Sequence, residues 1–291
     1  MLNGPIDLHL HSSCSDGLDT PEELARTAVS RGFTAISITD HDTVEGVSRG
    51  IEAARGTNLE IIPGIELSSM DGEDDIHILG YYIRYEDPEF VKRIAFFKEK
   101  RRERADEIVT CLNYLGLDIS IDTILKIAHG APIGRPHIAE ALLSENLIDF
   151  YQEAFIRYIG IDCPAYVPKY RISPREAIEL ILNYGGIPVI AHPFAVRRDE
   201  IIPELIGYGL MGIEAVHPLH TLEIQEHYRK LAAQYGVIVT GGSDWHGKSR
   251  RRNFSNIASS ILVSEETINE MRHLRGTVRT DVEKSKPGMS E

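Results

Sequence analysis

Apolar and polar residues alternate near the start of the chain, where Ile6, Leu8 and Leu10 interleave with Asp7, His9 and His11. That two-residue period predicts a strand with both imidazoles on one side and the aliphatic residues on the other. The next segment, "TPEELARTAVSRG" at 20–32, carries helix-start chemistry. Thr20 reads as N-cap, Pro21 as first helical residue and Glu23 as the return half of a capping box, with Gly32 as the stop. "TAISITDHD" is a short β-rich run, "TVEGVSRGIEAARG" a helix, and "LEIIPGIEL" and "DIHILGYYI" two further β-branched runs. From about 86 to 172 the strand signal disappears: a long helix is predicted over 90–116, with helical patches at 120–129 and 136–158. Alternation resumes at "SPREAIELILNYGG", where Ser173, Pro174 and Glu176 repeat the cap pattern. "IPVIAHP", "MGIEAVHP" and "VIVTGGSDWHG" then read as three buried strands separated by helix-length segments. Seven βα-like units predict a parallel sheet, and at this length a barrel rather than an open sheet. The expected organisation is a barrel domain formed by residues 1–85 and 173–291, with a helical subdomain inserted over 86–172.

The predicted strands end in, or carry, residues able to bind a metal. The first supplies His9 and His11, the second Asp40, His41 and Asp42, and the third Glu66. The fourth carries His77, the fifth ends in His192, the sixth in Glu214 and His217, the last in Asp244 and His246. In a parallel barrel those ends converge on one mouth, where active sites are built. Each residue alone has an ordinary explanation: Asp42 or Asp244 as a helix cap, His77 as a core histidine, His41 bonded to its neighbour. Together they do not, because buried imidazoles and carboxylates are costly unless paired or metal-bound. A His and carboxylate set without cysteine suits zinc, manganese or iron, and so many candidate ligands suit two or three ions rather than one.

Composition narrows the function classes. Apolar content of 42% and charged content of 26% over 291 residues are those of a globular protein with a sizeable core. Cys14, Cys111 and Cys163 are odd in number and form no CxxC pair, which fits free thiols in a reducing, cytoplasmic setting. No secretory signal and no membrane span is expected. The net charge of −13 argues against non-specific binding to duplex DNA but not against a small anionic substrate.

"DLHLHSSCSDG", "ITDHDTVEG", "IIPGIELS", "HILGYYI", "IAHP" and "GGSDWHG" resemble, in order and spacing, the motifs of the polymerase-and-histidinol-phosphatase (PHP) superfamily. Within it the likeness is to small stand-alone phosphoesterases of the nucleoside 3′,5′-bisphosphate phosphatase kind. The resemblance implies a distorted seven-stranded β/α barrel with a helical insertion after the fourth strand and a trinuclear metal centre. It would place His9, His11, Glu66 and Asp244 around one ion. Glu66 would bridge to a second, held also by His77 and His192, and Asp16, His41 and His246 would hold the third. Asp16 stands where some relatives have histidine. Chemistry would come from metal-activated water between Glu66, Asp244 and His192, so Cys14 is not needed as a nucleophile. Asp40 and Asp42 would orient His41.

Substrate selection is expected from the insertion. Arg135 opens a helix whose amides favour anions, and Lys169 lies just before the chain rejoins the barrel. The resemblance makes both contacts to the phosphate that is not cleaved, with His137 a further candidate and His217 a ligand or a phosphate contact. "KEKRRERAD" (98–106) reads as a solvated helix face, whereas Lys248 and Arg250 to Arg252 could line the mouth. The favoured reaction is hydrolysis of the 3′-phosphate of a nucleoside 3′,5′-bisphosphate. The alternatives are 5′-3′ trimming of short RNA, a histidinol-phosphate-type phosphatase, and a non-catalytic PHP module.

Overall fold

The structure is a computed structural model that describes residues 4–168, 170, 172–247 and 263–285. Its centre is a seven-stranded sheet in sequence order: β1 (Ile6–Leu10), β2 (Ala35–Ile38), β3 (Glu60–Asp71), β4 (Asp74–Tyr81), β5 (Ile187–Ile190), β6 (Gly212–Val216) and β7 (Ile238–Gly241). The sheet curls until its edges nearly meet. Leu10 bridges Trp245 beyond β7, and the His11 amide donates to the Trp245 carbonyl at 2.9 Å. Gly242 makes this approach feasible, since a Cβ there would lie 2.1 Å from the His9 Cβ.

The expected parallel sheet needs one correction. β4 runs antiparallel to both β3 and β5, while the remaining neighbours are parallel. The cause is local: β3 and β4 are joined by a two-residue turn at Gly72 (φ +63°) and Glu73, too short for the crossover that parallel strands require. This reversal matters for the mouth. His77 lies near the start of β4, and the antiparallel direction brings that start to the same end as the C-termini of the other strands.

Helices α1 (Pro21–Ser30) and α2 (Glu45–Ala53) follow β1 and β2. The capping box of α1 forms, with Glu23 N donating to Thr20 Oγ1 at 3.2 Å and Thr20 N to Glu23 Oε2 at 2.8 Å. After β4 come α3 (Pro88–Tyr114), α4 (Ile121–Ala128), α5 (Arg135–Ser144) and α6 (Tyr151–Glu153), which runs into a π turn at Ala154–Tyr158. They surround a core of their own, in which Ile108, Leu112, Ile124, Ile138 and Leu142 are buried together. The 27-residue α3 serves both cores: Phe90, Ile94 and Phe97 pack with the barrel, Ala105 onward with the other helices. α7 (Pro174–Asn183), α8 (Ile202–Gly207), α9 (Leu222–Tyr235) and α10 (Glu265–Ser285) complete the outer layer. Ser173 and Glu176 cap α7 as Thr20 and Glu23 cap α1. No helix among the described residues is long and apolar enough to cross a membrane.

Candidate metal centre

Six of the seven strands, all but β6, and the loops that follow them aim nine side chains at one end of the barrel. Across the middle, His9 Nε2 and His11 Nε2 stand 3.1 Å apart. Glu66 Oε2 lies 3.3 Å from the first and 3.1 Å from the second, and Asp244 Oδ1 lies 3.5 and 3.2 Å from them. A tetrahedral ion with bonds near 2.1 Å spaces its ligand atoms by about 3.4 Å. The donor set therefore fits a divalent ion in type and in spacing. The other oxygen of Glu66, Oε1, lies 2.7 Å from His77 Nδ1 and 3.1 Å from His192 Nε2, while His41 Nδ1 is 3.1 Å from Oε2. His246 Nε2 is 3.2 Å from Asp16 Oδ1, and its ring stacks on His11 at 4.1 Å between centroids. Ligand-forming atoms of His11, Asp16, His41 and His246 all lie within 4.8 Å of one another. Glu66 is fully buried, and the buried Nδ1 atoms of His11, His41 and His192 have no hydrogen-bond partner among the described residues. Orphaned lone pairs of this kind, crowded around carboxylates, are what a set of cation ligands leaves behind.

The charge balance agrees. Burial alone would push the Glu66 carboxyl up, but His41, His77 and His9 around it hold it well below the usual range. Asp244 and Asp16 are likewise held low against burial, in each case with His246 the leading partner. Conversely, burial opposes protonation of His11 and His77, yet the adjoining carboxylates raise them to about 9 and about 10. His41 goes the other way and is held well below its normal range by burial. Protons thus occupy, in part, the place of cations.

Second nitrogens are fixed by partners whose role the sequence did not expose, among them Glu214, expected only as one of the strand-end ligand candidates. His9 Nδ1 meets Glu214 Oε1 at 2.9 Å, leaving Nε2 to face the centre. Glu214, buried on β6, also accepts the His192 amide at 2.7 Å. His77 Nε2 meets Asp75 at 3.1 Å, and His246 Nδ1 meets the Asp244 carbonyl at 2.7 Å. Such outer partners set which nitrogen keeps a lone pair. Three residues of the mouth, Asp42, His192 and Asp244, hold left-handed φ values of 51°, 28° and 50°.

Two expectations for the neighbouring aspartates are corrected. Asp40 accepts from Ser12 N, Ser12 Oγ and Ser15 Oγ at 2.7, 2.6 and 2.6 Å, shaping the 11–16 loop rather than orienting His41. Asp42 instead takes the Arg101 guanidinium and the Ser68 amide. Arg101 belongs to the run read as a solvated face, and so does Arg104, which is 6% exposed. Both turn inward. With Ser15, Asp16, His41, Ser68, Asp75, His77 and Arg135 they line a cleft of about 180 Å³ that opens on the ligand cluster. Burial, then Arg135 and Arg101, push the Arg104 guanidinium down to about 10. Its Nε donates to the Val167 carbonyl at 2.7 Å. Neither Arg104 nor Arg135 pairs with a carboxylate among the described residues.

Arg135 stacks near Tyr166, with 5.8 Å from guanidinium carbon to ring centroid. His137 accepts the Gly134 amide at its Nδ1 and lines a second cleft, about 370 Å³, across Asp16 and Pro136. His217 Nδ1 accepts the Leu219 amide at 3.1 Å, and its Nε2 lies 3.6 Å from Asp244 Oδ2. Lys169, Lys248 and Arg250 to Arg252 lie outside the described residues. Cys14 is buried against Arg49, and burial, then Asp40, push its thiol up.

Comparison with known proteins is in line with this geometry. A family model for the PHP domain matches residues 7–183. A phosphoribosyl 1,2-cyclic phosphate 1,2-diphosphodiesterase of Eggerthella lenta is 30% identical over 84% of this chain and 95% of its own length. A 3′,5′-nucleoside bisphosphate phosphatase of Chromobacterium violaceum is 29% identical over 83% and 87%. A 5′-3′ exoribonuclease of Escherichia coli is 32% identical over 82% and 84%. Among solved structures, a protein of Bifidobacterium adolescentis assigned as a metal-dependent phosphoesterase superposes with a TM-score of 0.82 at 29% identity, covering 94% of this chain and 96% of that one.

Proposed function

The chain belongs to the PHP domain family and is a metal-dependent phosphoesterase, and from that premise we propose that it removes the 3′-phosphate of nucleoside 3′,5′-bisphosphates. The observation that carries this choice is the arginine wall. Arg104 and Arg135, neither with a carboxylate partner among the described residues, face a cleft contiguous with His41, His77 and Asp16. A substrate with one phosphate at the metal cluster leaves that wall uncompensated; a second phosphate completes it. Asp16 and Pro136 line both clefts, and in this reading the second phosphate takes the smaller and the nucleoside the larger.

In this reading His9, His11, Glu66 and Asp244 hold one divalent ion, Glu66, His77 and His192 a second, and Asp16, His41 and His246 a third. Manganese, iron and zinc all match the imidazole and carboxylate donors. Such ions supply a water of lowered pKa and neutralise phosphoryl oxygens. The chain's own residues do the rest. Glu214 and Asp75 lock the imidazoles of His9 and His77 in their orientations, and Arg104 and Arg135 fix the phosphate that stays. Asp42 fastens Arg101, and with it that stretch of α3, to the barrel. No side-chain nucleophile is required, and Lys169 is proposed as a further anion contact.

The test is phosphate release with added Mn²⁺ across nucleoside 3′,5′-bisphosphates, nucleoside monophosphates, histidinol phosphate, a 1,2-cyclic phosphate and 5′-phosphorylated short RNA. Preference for bisphosphates over monophosphates by a factor of ten or more supports the reading. A higher specificity constant on RNA or on the cyclic ester replaces it.

A further inference from the structure

His217 stands among the mouth histidines but is wired in the opposite sense. At His9 and His246 the nitrogen turned away from the centre meets an acceptor oxygen, so the inward nitrogen keeps its lone pair. At His217 the outer nitrogen meets a donor. The turn His217-Pro218-Leu219-His220 folds the Leu219 N–H onto His217 Nδ1 at 3.1 Å, and the His220 amide donates to the His217 carbonyl at 2.9 Å. A neutral imidazole that accepts at Nδ1 carries its proton at Nε2. His217 therefore directs an N–H, not a lone pair, toward the centre, and it cannot serve as a neutral metal ligand while the turn holds.

Among the described residues that N–H finds no acceptor within hydrogen-bond distance. The side chain is 2% exposed, and Nε2 is buried with no hydrogen-bond partner among the described residues. The facing carboxylate oxygen, Asp244 Oδ2, is 3.6 Å away, beyond hydrogen-bond range. The rings of His192 and His9 flank it at 5.4 and 6.3 Å, so the donor is aimed beside the ligand cluster rather than into the apolar core. A buried donor without an acceptor is costly unless the acceptor arrives with a ligand. In a phosphoesterase, the acceptor that arrives at the cluster is a phosphoryl oxygen.

We propose that His217 is a catalytic residue that donates its Nε2 hydrogen to a non-bridging oxygen of the phosphoryl group under attack, and that it is not a metal ligand. The role rests on the phosphoester chemistry of the centre, not on which nucleotide is the substrate, so a failed bisphosphate panel leaves it standing. Three proteins test it: wild type, His217→Ala and His217→Gln, whose amide N–H reaches close to the Nε2 position. Metal content per chain is measured first, then competitive inhibition by inorganic phosphate, then kcat/KM on any ester the wild type cleaves. The expected result is wild-type metal content in both variants. Phosphate inhibition and kcat/KM should both weaken by roughly 10- to 150-fold in His217→Ala, with partial recovery in His217→Gln. Loss of one equivalent of metal from His217→Ala makes His217 a ligand and overturns the proposal. Unchanged phosphate inhibition in His217→Ala overturns it as well. So does equal loss in both variants, because a packing role is indifferent to the restored donor.

Discussion

The two walls of the mouth are built on different principles. One is strand-borne: β1, β3 and β4, with the turns after β1, β2, β5 and β7, present the nine candidate ligands, locked by Glu214, Asp75 and the Asp244 carbonyl. The other is helix-borne: α3 and the start of α5 present Arg101, Arg104 and Arg135. The strand wall is dense in compensated charge, carboxylate against imidazole within 3.1–3.5 Å across its centre. In the helix wall Asp42 pairs Arg101, but among the described residues Arg104 meets the Val167 carbonyl and Arg135 the Ile159 carbonyl at 3.4 Å, with no carboxylate on either. A rigid sheet fixes ligand geometry to fractions of an ångström, as cation chemistry demands. A helical layer with its own core can vary without disturbing that geometry, which suits substrate selection.

The largest effect that would separate the walls is at Glu66, whose two oxygens face different ligand sets. Glu66→Gln should lose metal and several orders of magnitude in turnover, since generation of reactive water depends on the ions. A peripheral change, His246→Asn, should cost less of both. Retained metal with more than about a tenth of wild-type turnover in Glu66→Gln would sink the bridging role and with it the view of the strand wall as one unit.

Next in size is the helix wall. Arg104→Ala and Arg135→Ala should each lower kcat/KM for a bisphosphate by roughly 10- to 150-fold, the value of a charge-assisted contact. Hydrolysis of a monophosphate and metal content should hardly move. Equal losses on both substrates would place these arginines at the phosphate being cleaved, and the division of labour between the walls would collapse.

The sequence made one wall far more legible than the other, for physical reasons. The strand wall announces itself because a two-residue period sorts His9 and His11 from Leu8 and Leu10, and because imidazoles at successive strand ends have no common bland cause. Even the hidden reversal of β4 did not scramble it, because His77 sits near the strand's start. Arg101 and Arg104 were concealed in "KEKRRERAD", where interleaved glutamates suggest solvent. The available signal was spacing: 97, 101, 104, 105 and 108 share one helical face, and Phe97, Ala105 and Ile108 on it are apolar. Glu214 was visible as a strand-end carboxylate, but its role depends on which nitrogen of His9 it holds, and no one-dimensional pattern carries that.

A smaller effect tests the charge balance of the strand wall without any mutation. His11 and His77 are raised to about 9 and about 10 in the metal-free fold, above the ordinary unfolded value near 6.5. Groups raised in the folded state stabilise it fully below the unfolded pKa and lose that contribution as pH rises through the folded pKa. The melting temperature of the metal-free protein should therefore fall between pH 7 and 9. The metal-loaded protein should fall less, because cations displace the same protons and bind more tightly as pH rises. Parallel curves for the two forms would mean that protons do not occupy the cation positions.

The smallest expected effect is at Cys14, and its smallness is informative. This thiol lies on the loop between His11 and Asp16, close enough to the strand wall that a nucleophilic role has to be met directly. Reactive cysteines are thiolates in electropositive, accessible surroundings. Cys14 is 6% exposed, and burial followed by the Asp40 carboxylate raises its pKa, an influence that the Arg49 guanidinium at 3.4 Å does not reverse. The thiol is therefore protonated and shielded at neutral pH, on the loop that Asp40 ties down through Ser12 and Ser15. Cys14→Ser should keep turnover and metal content within about twofold of wild type, with at most a modest loss of stability from the changed packing. Rapid-quench labelling with a ³²P-phosphorylated substrate should find no covalent phosphoprotein in either form. A trapped phosphocysteine would move the chemistry from the strand wall to its loop and recast the ligand cluster as support for a nucleophile.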